Sequence, residues 1–366
     1  MRVGAKAGRR WNGWAGRWTA SAALWLFPLI CFAGLPKEEG VGGYLQIRLT
    51  LNEKRSDLLS LRRSKIWFRR TTKKGGCFVQ FLYKEWNRSR TDGKVYLQEA
   101  RVWFKTPHGT VTIGQFKPPF SRERFTWDGA LDIVDRAKAT NCLIPCGKLG
   151  ESFVRDYGVQ WSAKALRGRL RYAVALQVGN GANNKFRGNG PLLTARVVWR
   201  GKPGIYGGEK YLLQVEAAFS TRRDKDIDFS KALPGTKALG YDHFKGRDTR
   251  WNLGLDARYG RWRLVGESYW ARFKSSKAGV PSVSATGYYL QLTYRPSPLW
   301  SASLKFEAFD PNRSVVDKND VRWLGVGLNF YPKGLYRRWW VTYYIRRERK
   351  GERANNALIV QFQQVW

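Results

Sequence analysis

The sequence predicts an all-β fold, a 16-stranded antiparallel transmembrane β-barrel, and three observations carry that expectation. The chain ends on an alternating segment, Ala357-Leu358-Ile359-Val360-Gln361-Phe362-Gln363-Gln364-Val365-Trp366, flush with an aromatic residue. A strand that closes a bacterial outer-membrane barrel has this form, because its terminal ring sits in the interfacial girdle. Sixteen segments with period-two alternation run along the chain, an even number as single-chain bacterial barrels require. Their connections also sort by length, short on one side and long on the other.

The first segment, 43–51, sets Leu45, Ile47, Leu49 and Leu51 against Gln46, Arg48 and Thr50. The second, 62–70, is marked by Ile66-Trp67-Phe68, and 77–86, 95–105 and 109–117 follow. After a long interval come 153–163, 169–179, 191–200 and 211–220. An almost gapless hairpin, 249–259 and 261–271, turns at Gly260. The remaining segments are 286–295, 300–310, 321–331, 336–347 and 356–366. With the first strand starting at the periplasm, the periplasmic links are 71–76, 106–108, 164–168, 201–210, Gly260, 296–299 and 332–335, all short. The opposite side holds the long ones, 118–152, 221–248 and 272–285, which is the outer-membrane pattern. Trp251, Leu253, Leu255, Ala257 and Tyr259 alternate with Asn252, Gly254, Asp256 and Arg258, as lipid and lumen faces should.

The 18 Trp and 38 Gly suit many strands joined by tight turns. The N-terminus reads as a secretory signal over 1–33: Arg2, Lys6, Arg9, Arg10 and Arg17 precede an apolar run at 19–32 and small residues at Ala33 and Gly34. Residues 34–366 then form the barrel. Lys and Arg number 66 against 28 acids, a formal charge of +38. Such an excess normally suggests nucleic acid, but export argues against that partner. It also fits an acidic habitat. Cys142 and Cys146 are spaced for a loop disulfide, which an exported protein allows, and with only two histidines a metal site is poorly supported.

The run Gly114-Gln115-Phe116-Lys117-Pro118-Pro119-Phe120-Ser121-Arg122-Glu123-Arg124-Phe125, continued by Leu131-Asp132-Ile133-Val134-Asp135-Arg136, resembles the phosphate-selective porins O and P. Phe306-Glu307-Ala308-Phe309-Asp310-Pro311-Asn312, Leu324-Gly325-Val326-Gly327-Leu328-Asn329-Phe330-Tyr331, Arg347-Glu348 and Gln361-Phe362-Gln363 agree with that family too. The resemblance implies a homotrimer of sixteen-stranded barrels in the bacterial outer membrane, among lipid and lipopolysaccharide. It also implies a long third loop, here 118–152, folded inward to constrict the pore, and passage of phosphate or polyphosphate along Arg and Lys. Leu149-Gly150-Glu151 and the Cys142/Cys146 pair depart from the family pattern.

Anion pores are built from rings or ladders of Arg and Lys, and the planar Arg fork matches two phosphate oxygens. Parity assigns Arg48, Arg101, Arg171, Arg196, Arg258, Arg263, Arg295, Lys305 and Arg346 to the lumen as candidate anion-binding residues. The loop adds Arg122, Arg124, Arg136 and Lys138. Each is also readable as a solvated or paired lumen charge, with Glu99 for Arg101, Asp256 for Arg258, Glu267 for Arg263 and Glu307 for Lys305 as candidate partners. Glu123, Asp132 and Asp135 are expected to anchor the loop rather than do chemistry, since no Ser or His constellation accompanies them. No nucleotide loop or other cofactor motif is present, so the sequence points to a channel and not an enzyme. The alternatives are a general diffusion porin without phosphate preference and a non-conducting structural envelope barrel.

Overall fold

The computed structural model describes residues 39–53, 58–83, 95–145, 154–184, 190–228, 243–316, 319–351 and 355–366. The expected signal segment 1–33 and Cys146, half of the candidate disulfide, lie outside the described residues.

The strands are β1 (Gly40–Asn52), β2 (Leu58–Thr71), β3 (Gly75–Tyr83), β4 (Val95–Thr106), β5 (Gly109–Phe116), β6 (Asp156–Ala165), β7 (Leu170–Gln177) and β8 (Leu192–Arg200). A three-residue β9 (Gly204–Tyr206) forms a small hairpin with β10 (Glu209–Asp228), and β8 also pairs with β10. There follow β11 (His243–Tyr259), β12 (Trp262–Ser275), β13 (Val283–Tyr294), β14 (Trp300–Asp310), β15 (Val321–Phe330), β16 (Arg337–Glu348) and β17 (Ala357–Val365). All pairings are antiparallel. β1 pairs with both β2 and β17, so sixteen strands close into a ring and leave no free edge.

The alternation sorts side chains as a membrane barrel requires. Trp251, Leu253, Leu290, Leu304, Leu328 and Val341 are exposed on the outside, while Asn252, Asp256, Gln291, Lys305, Asn329 and Thr342 are buried inside the ring. Ring pairs lie near the strand ends, Trp262 with Tyr294 at 4.4 Å, Trp300 with Phe330 at 4.5 Å and Trp339 with Phe362 at 4.6 Å. Phe219 and Trp251, 4.3 Å apart, lie towards the other end. β10 and β11, with 20 and 17 residues, outrun the ~9–11 that a bilayer needs. Their pairing continues through Arg222 opposite Asp248 to Asp228 opposite His243, well into the span expected as loop. Within that extension Arg222 lies 2.8 Å from Asp224 of its own strand and 3.2 Å from Asp248 opposite.

Between β5 and β6 the segment 117–145 carries two short helices, α1 (Arg122–Phe125) and α2 (Lys138–Leu143), and a 3-10 turn at Asp128–Ala130. It supplies much of the apolar core. Ile133 and Val134 pack with Trp340, Tyr344 and Ile359. Phe120, Leu143 and Ile144 cluster with Tyr269, Phe273 and Phe309, and Trp127 joins Tyr44, Trp67 and Phe78. Close approach needs glycine in the wall: a Cβ on Gly287 would lie 2.5 Å from Ala139 Cβ, and one on Gly327 would lie 2.6 Å from Ile133 Cδ1.

Candidate functional site

The segment after β5 is held to inward-facing wall residues by polar contacts on many strands. Trp340 Nε1 donates to Leu131 O at 2.8 Å, Arg338 to Gly129 O at 3.0 Å and Asn329 Nδ2 to Asp132 O at 3.0 Å. Lys305 Nζ reaches Glu123 at 3.0 Å, and Glu123 in turn accepts from the Ala137 N–H at 2.9 Å. Arg122 pairs with Asp256 at 2.6 Å. Glu267 of β12 accepts the backbone N–H groups of Arg122 at 2.8 Å and Glu123 at 2.7 Å, the first donors of α1 that no helical carbonyl can satisfy. Glu267 thus clamps the loop; the partner of Arg263 is instead Asp256 at 3.1 Å, with Asp132 at 3.2 Å.

On the side of β2 to β6 the segment and the wall enclose a polar cavity. The wall contributes Arg62, Arg63 and Lys65 of β2, Gln80 and Leu82 of β3, Gln98 and Glu99 of β4, and the flanking Lys117 and Arg155. The segment contributes Arg124, Thr126, Trp127, Asp128, Leu131, Val134, Asp135, Arg136 and Asn141. Seven bases meet three carboxylates there.

Two β-bulges build this lining. Gln46 pairs with Arg63 and Ile47 with Leu61, so Arg62 is the extra residue of β2. Gln80 pairs with Glu99 and Phe81 with Leu97, so Gln98 is the extra residue of β4. A bulge reverses strand parity, and both sites turn two successive polar residues to the same side. Arg62 then lies 3.5 Å from Asp135, while Arg63 and Lys65 each lie 2.7 Å from Asp128. Burial alone would raise both carboxyls. Arg63, Lys65 and Arg136 around Asp128, and Arg48 and Arg62 around Asp135, outweigh that and hold both well below the usual carboxylate range.

Of the residues singled out from sequence, Arg124, Arg136 and Asp135 line the cavity. Arg48 braces it from behind, 2.9 Å from Asp135 and from Gln361. The others are distributed along the wall. Arg101 lies 3.4 Å from Glu99 and over Phe78, Arg196 is 2.7 Å from Glu216, and Arg258 is 3.4 Å from Asp256. Arg171 donates to Gly168 O, Arg295 to Pro298 O and Arg346 to Asn355 O, while Lys138 sits over Trp323. Cys142 is buried. Sequence reasoning missed Arg62, Arg63, Lys65, Lys117, Arg155 and Asp128. The available signal was the phase change in β2, where Leu59 and Leu61 face outward on odd numbers and Ile66 and Phe68 on even ones.

A family model described as phosphate-selective porin O and P matches residues 49–365. No curated protein sequence matches the chain. Among solved structures, the trimer form of the outer-membrane protein OmpT of Vibrio cholerae superposes with a TM-score of 0.61 at 13% identity, covering 89% of this chain and 98% of that one. Salmonella typhi OmpF, complexed with daunomycin, gives 0.58 at 10%, with coverages of 89% and 97%. The outer-membrane channel DcaP of Acinetobacter baumannii gives 0.57 at 11%, with 89% and 96%. At such identities these likenesses carry the barrel fold.

Proposed function

Because the chain belongs to the phosphate-selective porin O and P family, and is therefore an outer-membrane porin and not an enzyme, we propose that it passes small anions, phosphate and pyrophosphate foremost. The observation that supports this most is the bulge at Arg62, which sets two successive guanidinium groups and Lys65 on one cavity wall. An anion channel must concentrate its ion yet let it go, and Arg forks close to carboxylates offer graded rather than permanent binding. Lys117, Arg124 and Arg155 extend the basic lining along the same cavity. The loop carboxylates Glu123 and Asp132 belong to the anchoring of the constriction rather than to its ion path. The working unit is a trimer in a bilayer bearing lipopolysaccharide, a reading supported by the family and by the trimer form of OmpT.

The test is single-channel recording in planar bilayers. Reversal potentials in a chloride gradient should show anion preference, and added phosphate should block the chloride current. Arg62→Ala or Arg124→Ala should weaken that block. Arg122→Ala should instead disturb the loop, since Arg122 is committed to Asp256. Cation preference at neutral pH would overturn the anion reading. Anion preference without phosphate block would leave a general diffusion porin.

A further inference from the structure

Asp128 has more donors around it than any anchoring role requires. Its Oδ1 accepts from Arg63 at 2.7 Å and from Arg136, and its Oδ2 accepts from Lys65 Nζ at 2.7 Å and Tyr44 Oη at 2.9 Å. Three cations and a phenol converging on two oxygens is the donor set an oxyanion would recruit. The carboxylate is not part of the wall. It rides on the 3-10 turn Asp128–Ala130, whose next residue is fixed independently by Arg338 donating to Gly129 O. The loop therefore keeps an anchor one residue away, and the Asp128 side chain remains in the cavity lining beside Arg62 and Arg124.

We propose that Asp128 is a tethered counter-ion that occupies an oxyanion site of the passage, and that a permeating anion crosses by displacing it from Arg63, Lys65 and Arg136. The inference rests on the anion-channel reading given above and names the residue that sets how tightly the channel holds its ion. With Asp128 in place, the cradle of three cations and one carboxylate carries a net +2. An arriving anion exchanges one set of charge-assisted hydrogen bonds for another, so entry is favourable and release is fast. Without the carboxylate, the same cradle would carry +3 and hold the anion as a trap.

The experiment compares wild type, D128N and the double variant D128N/K65Q in planar bilayers, with inorganic phosphate titrated against a chloride current. Removing a like charge within a few ångström of the ion lowers the half-blocking phosphate concentration in D128N by about tenfold or more. Blocked dwell times lengthen correspondingly. The double variant restores the cradle to +2 and returns the half-blocking concentration towards the wild-type value. If Asp128 were merely a loop anchor, D128N would weaken the block and add open-channel noise, and the double variant, having lost a further contact, would be worse. Unchanged or weakened block in D128N overturns the inference, as does failure of K65Q to reverse it. A wild-type channel that prefers cations fails at the earlier step and is seen before any variant is made.

Discussion

The clamp on the 117–145 segment can be tested at one side chain. Glu267 receives the N–H groups of Arg122 and Glu123 at 2.8 and 2.7 Å, the Tyr289 hydroxyl at 2.9 Å and Asn252 Nδ2 at 3.1 Å. Glu267→Ala removes this acceptor from all of them, and from Ser121 Oγ at 3.4 Å, at a site only 3% exposed, although Asn252 Nδ2 retains Ser268 O at 3.2 Å. A buried donor left without an acceptor costs about 1–3 kcal/mol, so orphaning the two backbone N–H groups costs the docked helix about 2–6 kcal/mol. Water entering the vacated space offsets part of this, which favours the lower end. The barrel survives, because β12 keeps its ladders with β11 and β13. A loss of 3 kcal/mol accelerates exchange through local opening by about two decades. Hydrogen exchange should therefore show the Arg122 and Glu123 amides deprotected by about a hundredfold, while amides of β12 stay protected. Single-channel traces should show a larger and noisier open current. Glu267→Gln keeps one carbonyl acceptor and should show roughly half the free-energy loss. A change in α1 protection of less than about threefold in Glu267→Ala, with an unaltered open current, would refute the clamp.

Three further outcomes follow from the same geometry. Leu290→Arg, on the lipid face where Leu290 is half exposed, should destabilise the barrel by about 2–4 kcal/mol in vesicle-based denaturant unfolding, whereas Gln291→Arg on the lumen face should cost under about 1 kcal/mol. The carboxyls of Asp128 and Asp135 are held below their unfolded values, so their contribution is complete above pH ~4 and disappears only as pH falls through the lower folded values. Hydrogen-exchange protection of the 117–145 segment should accordingly hold steady from neutrality down to about pH 4 and decline only below it, and a midpoint near neutrality would contradict the ion-pair assignment. Deleting Arg62 leaves Leu61 opposite Ile47 and Arg63 opposite Gln46 in regular register, so the barrel should fold with unchanged heat-modifiable mobility while phosphate block weakens several-fold, on the order of 1 kcal/mol.

The closed ring was legible because its cause is local. A lipid face and a wet face alternate residue by residue, and Leu253, Leu290 and Val341 declare the outer face without reference to anything distant. Parity likewise sorted Arg48, Arg196, Arg258, Lys305 and Arg346 to the inside. The cavity was not legible, and the reason is the same parity rule. Arg62 and Arg63 read as belonging to opposite faces until a bulge is admitted, as do Gln98 and Glu99. Asp128 stood outside every recognised motif, since its importance comes from Arg63, Lys65 and Arg136 arriving from elsewhere in the chain. The start of β6 shows a smaller effect: Val154 joins the loop core and Arg155 turns to Glu99 at 2.8 Å, so the ladder begins only at Asp156.

The amount of positive charge does not separate a selective channel from a basic general one. The cavity holds seven bases against three acids, and the whole chain holds 66 against 28, so its proportion is no more basic than the average. A composition shifted by an acidic habitat would produce that proportion anywhere. It would not insert a residue into a ladder. A bulge leaves that residue without a partner in the neighbouring strand, and a substitution that merely adds charge has no need of it. Here β2 and β4 each carry one bulge, and Arg62 and Gln98 face the same cavity. At β2 the insertion brings Arg62 beside Arg63, close to the Asp128 and Asp135 carboxylates. The proposed phosphate preference would therefore follow from backbone geometry, and the Arg62 deletion is its sharpest probe, since it removes the insertion while leaving the rest of the base excess untouched.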